Sequence, residues 1–414
     1  MKGPRIGILA LIGPGLLVAA TGVGAGDLAT AGFTGAMLGT GVAWAVLLGA
    51  ILKYVLTEGL ARWQLSTNST LLEGVGRHVG PWALVVFLVY LIPFSYVVGG
   101  ALISACGITT QSIIPLGDDP QAGKIMYGSI ISFVGLMIAW IGGFKLFERV
   151  MAMCIAVMFV AVLVTALLLV PDWGDLFGGM IVSPTIPDPS GESFTWTLSL
   201  LGGVGGTVTL LCYGYWIRQQ GRFGTQWIRT CRIDLAVGYL FTGIFGVAML
   251  VIATDTDPSA RGANLIVELA SRLDHQLGSW ARWIFLIGAW AAVTSSLLGV
   301  WQAVPMLFAD AWRSIFGLRR LDADALVKTA SARIFLVLMA TLPIMQAWQS
   351  FKEVQKIYAV LGAFFLPLLA LALLWLNGQT RMVGRDRRNG PVTVALLILT
   401  LGVFAVYGWL KVRR

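Results

Sequence analysis

Residues 22–29 read Gly22-Val23-Gly24-Ala25-Gly26-Asp27-Leu28-Ala29, and residues 202–209 read Gly202-Gly203-Val204-Gly205-Gly206-Thr207-Val208-Thr209. Each stretch lies inside an apolar run long enough to cross about 30 Å of hydrocarbon, which takes roughly 20 helical residues. Outward from these two stretches similar runs recur with short polar connections, near residues 7–38, 41–65, 81–108, 123–143, 146–171, 196–219, 232–253, 280–310, 330–347, 355–376 and 391–410. The chain therefore reads as an all-α polytopic membrane protein of eleven spans, a single transmembrane domain over 1–414. Composition agrees, with 57% hydrophobic residues, 12% charged residues and a mean hydropathy of +0.82. A soluble domain carries about a quarter charged residues.

The net charge of +9 is explained by where the basic residues fall. Arg62, Arg77, Lys145, Arg149, Arg218, Arg222, Arg229, Arg232, Arg313, Arg319, Arg320 and Arg381 to Arg388 gather at one set of span ends. The long connection 172–195 on the other side has no Lys or Arg, although it carries Asp172, Asp175, Asp188 and Glu192. Basic residues accumulate on the cytoplasmic side of short loops, which predicts the N-terminus in the cytoplasm and the C-terminus outside, in a plasma (inner) membrane. The basicity calls for a lipid bilayer and no nucleic acid. Met1 to Arg5 and the apolar stretch through Pro14 have the outline of a signal peptide, but they run on into the glycine-rich segment instead of a cleavage site and are expected to be retained.

The two glycine-rich stretches occupy matching places, each in the first span of a block of five. A pair of interrupted helices at corresponding positions is the sequence pointer to an inverted-repeat transporter that holds its substrate where the helices unwind. The expected repeats are 7–171 and 196–376, with 391–410 as an additional helix. Glycines also serve close helix packing in membranes, but packing alone does not account for two clusters five spans apart, one of them carrying a carboxylate.

That carboxylate, Asp27, lies where a charge costs about 2.5–3.5 kcal/mol on insertion scales, so it is expected to face an ion, a cavity or a partner. It is also a candidate N-cap for a half-helix beginning at Leu28. Asp27, the backbone of Gly24, Ala25 and Gly26, and the hydroxyls of Thr207 and Thr209 form the candidate ion-binding set, with Asp27, Gly24 and Thr209 as metal ligands. Oxygen donors suit hard cations such as magnesium, calcium or manganese. Lys53 and Glu58, five residues apart in the second span, are expected to form an ion pair or to mark a helix end. Glu148, beside Lys145 and Arg149, has an interface role, and His78 in a loop and His275 near an outer end are not placed for a proton relay. Cys106, Cys154, Cys212 and Cys231 show no metal-ligand spacing and read as packing residues. No nucleotide-binding loop, nucleophile with a partner base or paired carboxylates occur, which excludes an ATP-driven pump and an intramembrane hydrolase. The chain is not expected to be an enzyme and implies no cofactor.

Gly13-Pro14-Gly15-Leu16-Leu17, the glycine-rich interruption, Ala45 to Val75, Glu148, the loop ending near Pro184, the second glycine cluster, Ser295-Ser296 and Leu366-Pro367 together resemble the Nramp family of divalent-metal transporters over most of the chain. The resemblance implies a LeuT-type inverted repeat of five plus five helices, to which an eleventh is added. It also exposes departures. Where the family's first helix carries Asp-Pro-Gly-Asn, this chain has Gly24-Ala25-Gly26-Asp27. Where its sixth carries Met-Pro-His, an ungapped alignment places Thr209-Leu210-Leu211. The family's acidic pair in helix 3 falls at Pro93 and Tyr96, and its helix 10 glutamine at Ala359. This pattern is similar to the Nramp-related magnesium transporters, a branch that also lacks the methionine and the proton pathway.

The expected function is a secondary carrier moving a divalent cation, magnesium or manganese, by alternating access without the family's usual proton route. An inside-negative potential drives a dication with about 4.6 kcal/mol per 100 mV, twice the single-charge value. Two other readings stay open: an ion-coupled symporter of a small organic solute lined by Trp196, Trp216, Trp290 and Trp301, and a non-transporting sensor with a decayed metal site.

Overall fold

The computed structural model describes residues 13–141, 143–169, 173–178, 192–254, 256 and 264–412. Met1 to Arg5, residues 7–12 of the first expected span, Asp172, Pro184 and Asp188 lie outside the described residues. The helices are α1 (Gly13–Gly22), α2 (Thr30–Leu38), α3 (Ala43–Thr67), α4 (Leu71–His78), α5 (Pro81–Ile113), α6 (Pro120–Ile141), α7 (Gly143–Leu169), α8 (Glu192–Gly203), α9 (Cys212–Gln219), α10 (Ile228–Ala253), α11 (Asn264–Leu277), α12 (Ser279–Ile315), α13 (Ala330–Thr341), α14 (Phe351–Leu376) and α15 (Pro391–Val412). Among the described residues nine stretches are long and apolar enough to cross a membrane; the first, Gly26–Thr67, contains two helices that reverse at Gly39, whose φ is +60°. With α15 added, each expected span has a helical counterpart, and α4 and α11 lie between spans.

Without a hydrophobic drive between helices in lipid, close backbone approach through small residues holds such bundles together. A Cβ on Gly107 of α5 would lie 1.9 Å from the Lys124 carbonyl oxygen of α6, and one on Gly128 would lie 2.4 Å from that of Ile103. The centre of the bundle is α12, whose residues from Ala291 to Leu307 are all buried against α1, α5 and α7. By contrast α6 turns Ile130, Phe133, Val134, Met137 and Ile141 outward, as a lipid-facing helix does. Three of the four tryptophans expected to line a solute pocket are packed within the bundle. Trp196 lies against Phe33 with the rings tilted, Trp216 donates to Gln302 Oε1 at 2.8 Å, and Trp301 donates to the Ser132 carbonyl at 3.2 Å. The four cysteines are free and buried.

His78, expected in a loop, ends α4, where it meets the rings of Trp63 and Trp375 edge-on. α4 begins with a capping box: Thr70 Oγ1 accepts from the Glu73 amide at 3.1 Å, and Glu73 Oε2 accepts from the Thr70 amide at 3.0 Å. The same threonine hydroxyl donates to Asp310 Oδ2 at 2.7 Å and so fastens α4 to α12. Burial, aided by neighbouring Asp310, pushes the Glu73 carboxyl above its ordinary range, against the pull of Arg320 at 2.8 Å. Thr70→Ala removes both roles. Loss of such a cap costs about 1 kcal/mol, and a buried Asp310 oxygen loses one of its donors. The apparent melting temperature in detergent is expected to fall by about 2–4 °C, with Thr70→Ser close to wild type.

Candidate functional site

The two glycine-rich stretches meet. A Cβ on Gly22 would sit 2.4 Å from the carbonyl carbon of Gly205 and from the amide nitrogen of Gly206, so the backbones touch with no side chain between them. They are interrupted differently, however. From Val23 to Ala29 the first helix widens into a π-helical segment, with Thr30 N–H donating to the carbonyls of Gly26 and Asp27, instead of unwinding into free carbonyls. The expectation of an open carbonyl stretch at Gly24–Gly26 is corrected to this extent, and with it the reading of Asp27 as the N-cap of a helix starting at Leu28. Single π turns are a common way for a helix to re-aim groups at functional sites. The second interruption is a true break. α8 ends at Gly203, Gly205 and Gly206 take φ of +75° and +87°, a region open to glycine, and a 3₁₀ turn over Val208–Leu211 leads into α9.

The break leaves peptide groups without helical partners, which is costly in a bilayer. Gly206 N–H returns to Gly203 O at 3.0 Å. Gly205 N–H donates to Asp27, at 3.0 Å from Oδ1 and 3.3 Å from Oδ2. The carbonyls of Gly202 and Val204 both accept from Lys53 Nζ, the former at 2.7 Å. Asp27 and Lys53 are each fully buried, and each acts electrostatically on the other.

Lys53 was expected to pair with Glu58, and this is corrected. Gly49, Lys53 and Thr57 are four residues apart and share one face of α3. Gly49 has no Cβ to keep α3 from Leu201, and Thr57 bonds the Tyr239 hydroxyl at 2.7 Å. Glu58 lies off that face and instead binds Arg62 at 3.2 Å and Arg232 at 2.9 Å. The sequence did carry a signal: a lone lysine within an apolar span with no acid three or four residues away needs oxygen from another helix.

The other candidate residues divide into groups. Gly26 faces Gly203 O and the Tyr358 hydroxyl, at 3.3 and 3.9 Å from a Cβ built there. Thr207 packs on Gly362 of α14 and is approached by the same phenol, which also faces Asp27, without completing a hydrogen bond. Thr209 lies against Gly206, on the side of Gly22. Thr207 Oγ1 and Thr209 Oγ1 are buried with no hydrogen-bond partner. Gly24 faces α12, its N–H donating to Ser296 Oγ at 2.7 Å, while that hydroxyl donates to Ala20 O at 3.0 Å. Asp27, Gly26, Thr207 and Tyr358 thus converge, whereas Gly24 and Thr209 sit beside this group. Of Ala25 only the backbone is described, as part of the π segment. Tyr358, on α14, was missed because a tyrosine inside an apolar span reads as packing. Among the described residues no group of three His, Cys, Asp or Glu is arranged to hold a metal.

A second buried network lies at the other end of α1. Asp234 Oδ1 accepts from Gly15 N–H at 2.9 Å, and Oδ2 accepts from Tyr213 and Arg222, each at 3.0 Å, tying α1, α9 and α10 together. Glu148 accepts from Gln220 at 2.7 Å, the interface role expected of it.

Two interrupted helices crossing around a buried carboxylate, within an all-helical bundle, define a membrane transporter of the LeuT-type inverted-repeat fold. The family model described as "Natural resistance-associated macrophage protein-like" matches residues 15–413, and the chain belongs to this Nramp family, whose members are transporters and not enzymes. The "Divalent metal cation transporter MntH" of Mycobacterium tuberculosis is 23% identical over 420 residues, spanning 96% of this chain and 91% of that one. Among solved structures, a glutamate-to-glutamine variant of the Eremococcus coleocola manganese transporter superposes with a TM-score of 0.78 at 16% identity, covering 98% of this chain and 87% of that one. MhsT in complex with L-phenylalanine superposes with a TM-score of 0.65 at 16% identity over 99% of this chain and all of that one.

Since a Cβ at Gly22 would strike backbone, which cannot swing aside, Gly22→Ala is expected to separate the two interruptions and weaken the contact of Asp27 with Gly205. Transport is expected to fall at least about tenfold, the consequence of a 1.4 kcal/mol loss, whereas Gly402→Ala, where a Cβ meets nothing within 4 Å, leaves it unchanged.

Proposed function

We propose that the chain is a secondary carrier that moves a divalent cation, magnesium or manganese, across the plasma membrane by alternating access. The observation that carries this reading is the convergence of a fully buried carboxylate, Asp27, on a helix break flanked by two buried threonine hydroxyls that lack hydrogen-bond partners. Buried hydroxyls are normally satisfied, and two left without partners beside a buried carboxylate have oxygen lone pairs to offer a cation. Asp27 supplies the charge. Thr207 and the Tyr358 phenol supply neutral oxygen beside it, and Thr209 completes the set as the helices shift. All of these donors are oxygen, which favours a hard ion that keeps part of its water shell. Family membership, the divalent metal cation named for the mycobacterial relative and the manganese named for the Eremococcus one support the cation class.

The family's proton route has no counterpart in the chemistry of α5. That helix contains neither Asp nor Glu, and Pro93 and Tyr96, which align with the family's acidic pair, lie on its exposed outer surface. We therefore assign the driving force to the ion's own gradient and the membrane potential. The repeats 7–171 and 196–376 are the bodies that move relative to each other, with the arginine-rich connections on the cytoplasmic side. The carboxylate is buried in this conformation.

Purified protein in liposomes is expected to take up manganese and magnesium saturably, faster with an inside-negative potential and indifferent to a pH gradient. Asp27→Asn keeps the shape and removes the charge, and uptake is expected to fall at least about tenfold. Wild-type liposomes without divalent flux under any potential would overturn the assignment.

A further inference from the structure

The lysine at the break does work that the carrier reading leaves unexplained. In inverted-repeat carriers the carbonyls at the end of a half-helix are where a sodium ion is coordinated. Here the corresponding carbonyls, Gly202 O and Val204 O, accept from Lys53 Nζ, while Gly205 N–H between them and the 3₁₀ turn donates to Asp27. An ammonium has three protons to give and no need of a hydration shell once they are placed. Its positive charge also acts on Asp27 through space and on the negative end of the α8 dipole. The side chain reaches this place because Gly49, one turn earlier on the same face, admits the α3 backbone to Leu201.

We propose that Lys53 is a built-in cation: its ammonium fills a monovalent-cation site made by Gly202 O and Val204 O, with the Asp27 carboxylate acting on it through space, and removing it uncovers that site for sodium. The wild-type protein accordingly needs no monovalent cation to hold the break. The transported dication also enters beside a carboxylate whose charge is already balanced, so Lys53 weakens its binding and helps determine which ion is accepted. The site rests on the helix break alone, and its test reads stability, so that it stands or falls separately from the identity of the transported ion.

The experiment is thermal unfolding of purified wild type and Lys53→Ala in detergent, in choline, potassium or sodium chloride at equal ionic strength. Removing one partner of a buried charge pair is strongly destabilising. In choline the variant is expected to melt about 5 °C or more below wild type. Sodium is expected to restore at least half of that difference in a saturable way, as a ligand of the folded state does, while wild type responds equally to all three salts. A variant as stable as wild type in choline, or one that no small cation restores selectively, would overturn the proposal. Should Lys53→Ala fail to accumulate, the uncharged pair Asp27→Asn with Lys53→Met decides. Accumulation of the pair with no sodium response supports the charge role, and its failure to accumulate assigns Lys53 to packing and overturns it.

Discussion

A helix can be broken inside a bilayer only if every peptide group released by the break is met by something other than water. In this protein the released groups of α8 are met by one side chain of each sign, the Gly205 amide by Asp27 and the Gly202 and Val204 carbonyls by Lys53. The rest of the site follows from that clasp. Gly22 is bare because the first helix must lie directly on Gly205 and Gly206, Gly49 is bare because α3 must come close enough to deliver its lysine, and the π segment rotates Asp27 to the point where the amide waits. Neither charge would be tolerated alone, since an unpaired buried ion costs several kcal/mol.

The clasp also explains why the two halves of the site are unequal. The first interruption keeps most of its hydrogen bonds, widened by one residue per turn, and contributes a side chain. The second gives them up and contributes backbone. A carboxylate can be presented from a helix that remains nearly intact, whereas free carbonyls and amides require an opened one. The arrangement is therefore stiff on the α1 and α2 side, which Ser296 holds through Gly24 and Ala20, and less tied at Val204–Thr209, where the Thr207 and Thr209 hydroxyls are unsatisfied. A site that must bind and then release an ion gains from having its compliance on one side only.

Much of this was legible in the order of residues. Among the described residues apolar length located the helices long enough to cross a membrane, and the matching glycine clusters identified the helices that are interrupted. Asp27 stood out because its cost in hydrocarbon demands a partner. What did not emerge was the identity of that partner. Lys53 lies twenty-six residues away on another helix, and its nearest acid in sequence, Glu58, made a local pair look natural although five residues is the wrong spacing for one face. Tyr358 was hidden for a related reason: an aromatic side chain in an apolar span looks the same whether its hydroxyl meets lipid headgroups or an ion site. The π segment was invisible too, since glycine permits unwinding and widening alike.

Charge balance links this architecture to selectivity. A dication approaching Asp27 meets a carboxylate that already interacts with a fixed ammonium, so its binding energy comes from replacing water with neutral oxygen more than from bare attraction. That favours ions that bind oxygen strongly at short range and disfavours monovalent ions, which would gain little beside a like charge. It also keeps binding weak enough for release, because a dication held by an uncompensated carboxylate in a dry site would be slow to leave. The lysine that makes the broken helix affordable to the membrane is thus the same group that keeps the carrier from becoming a trap.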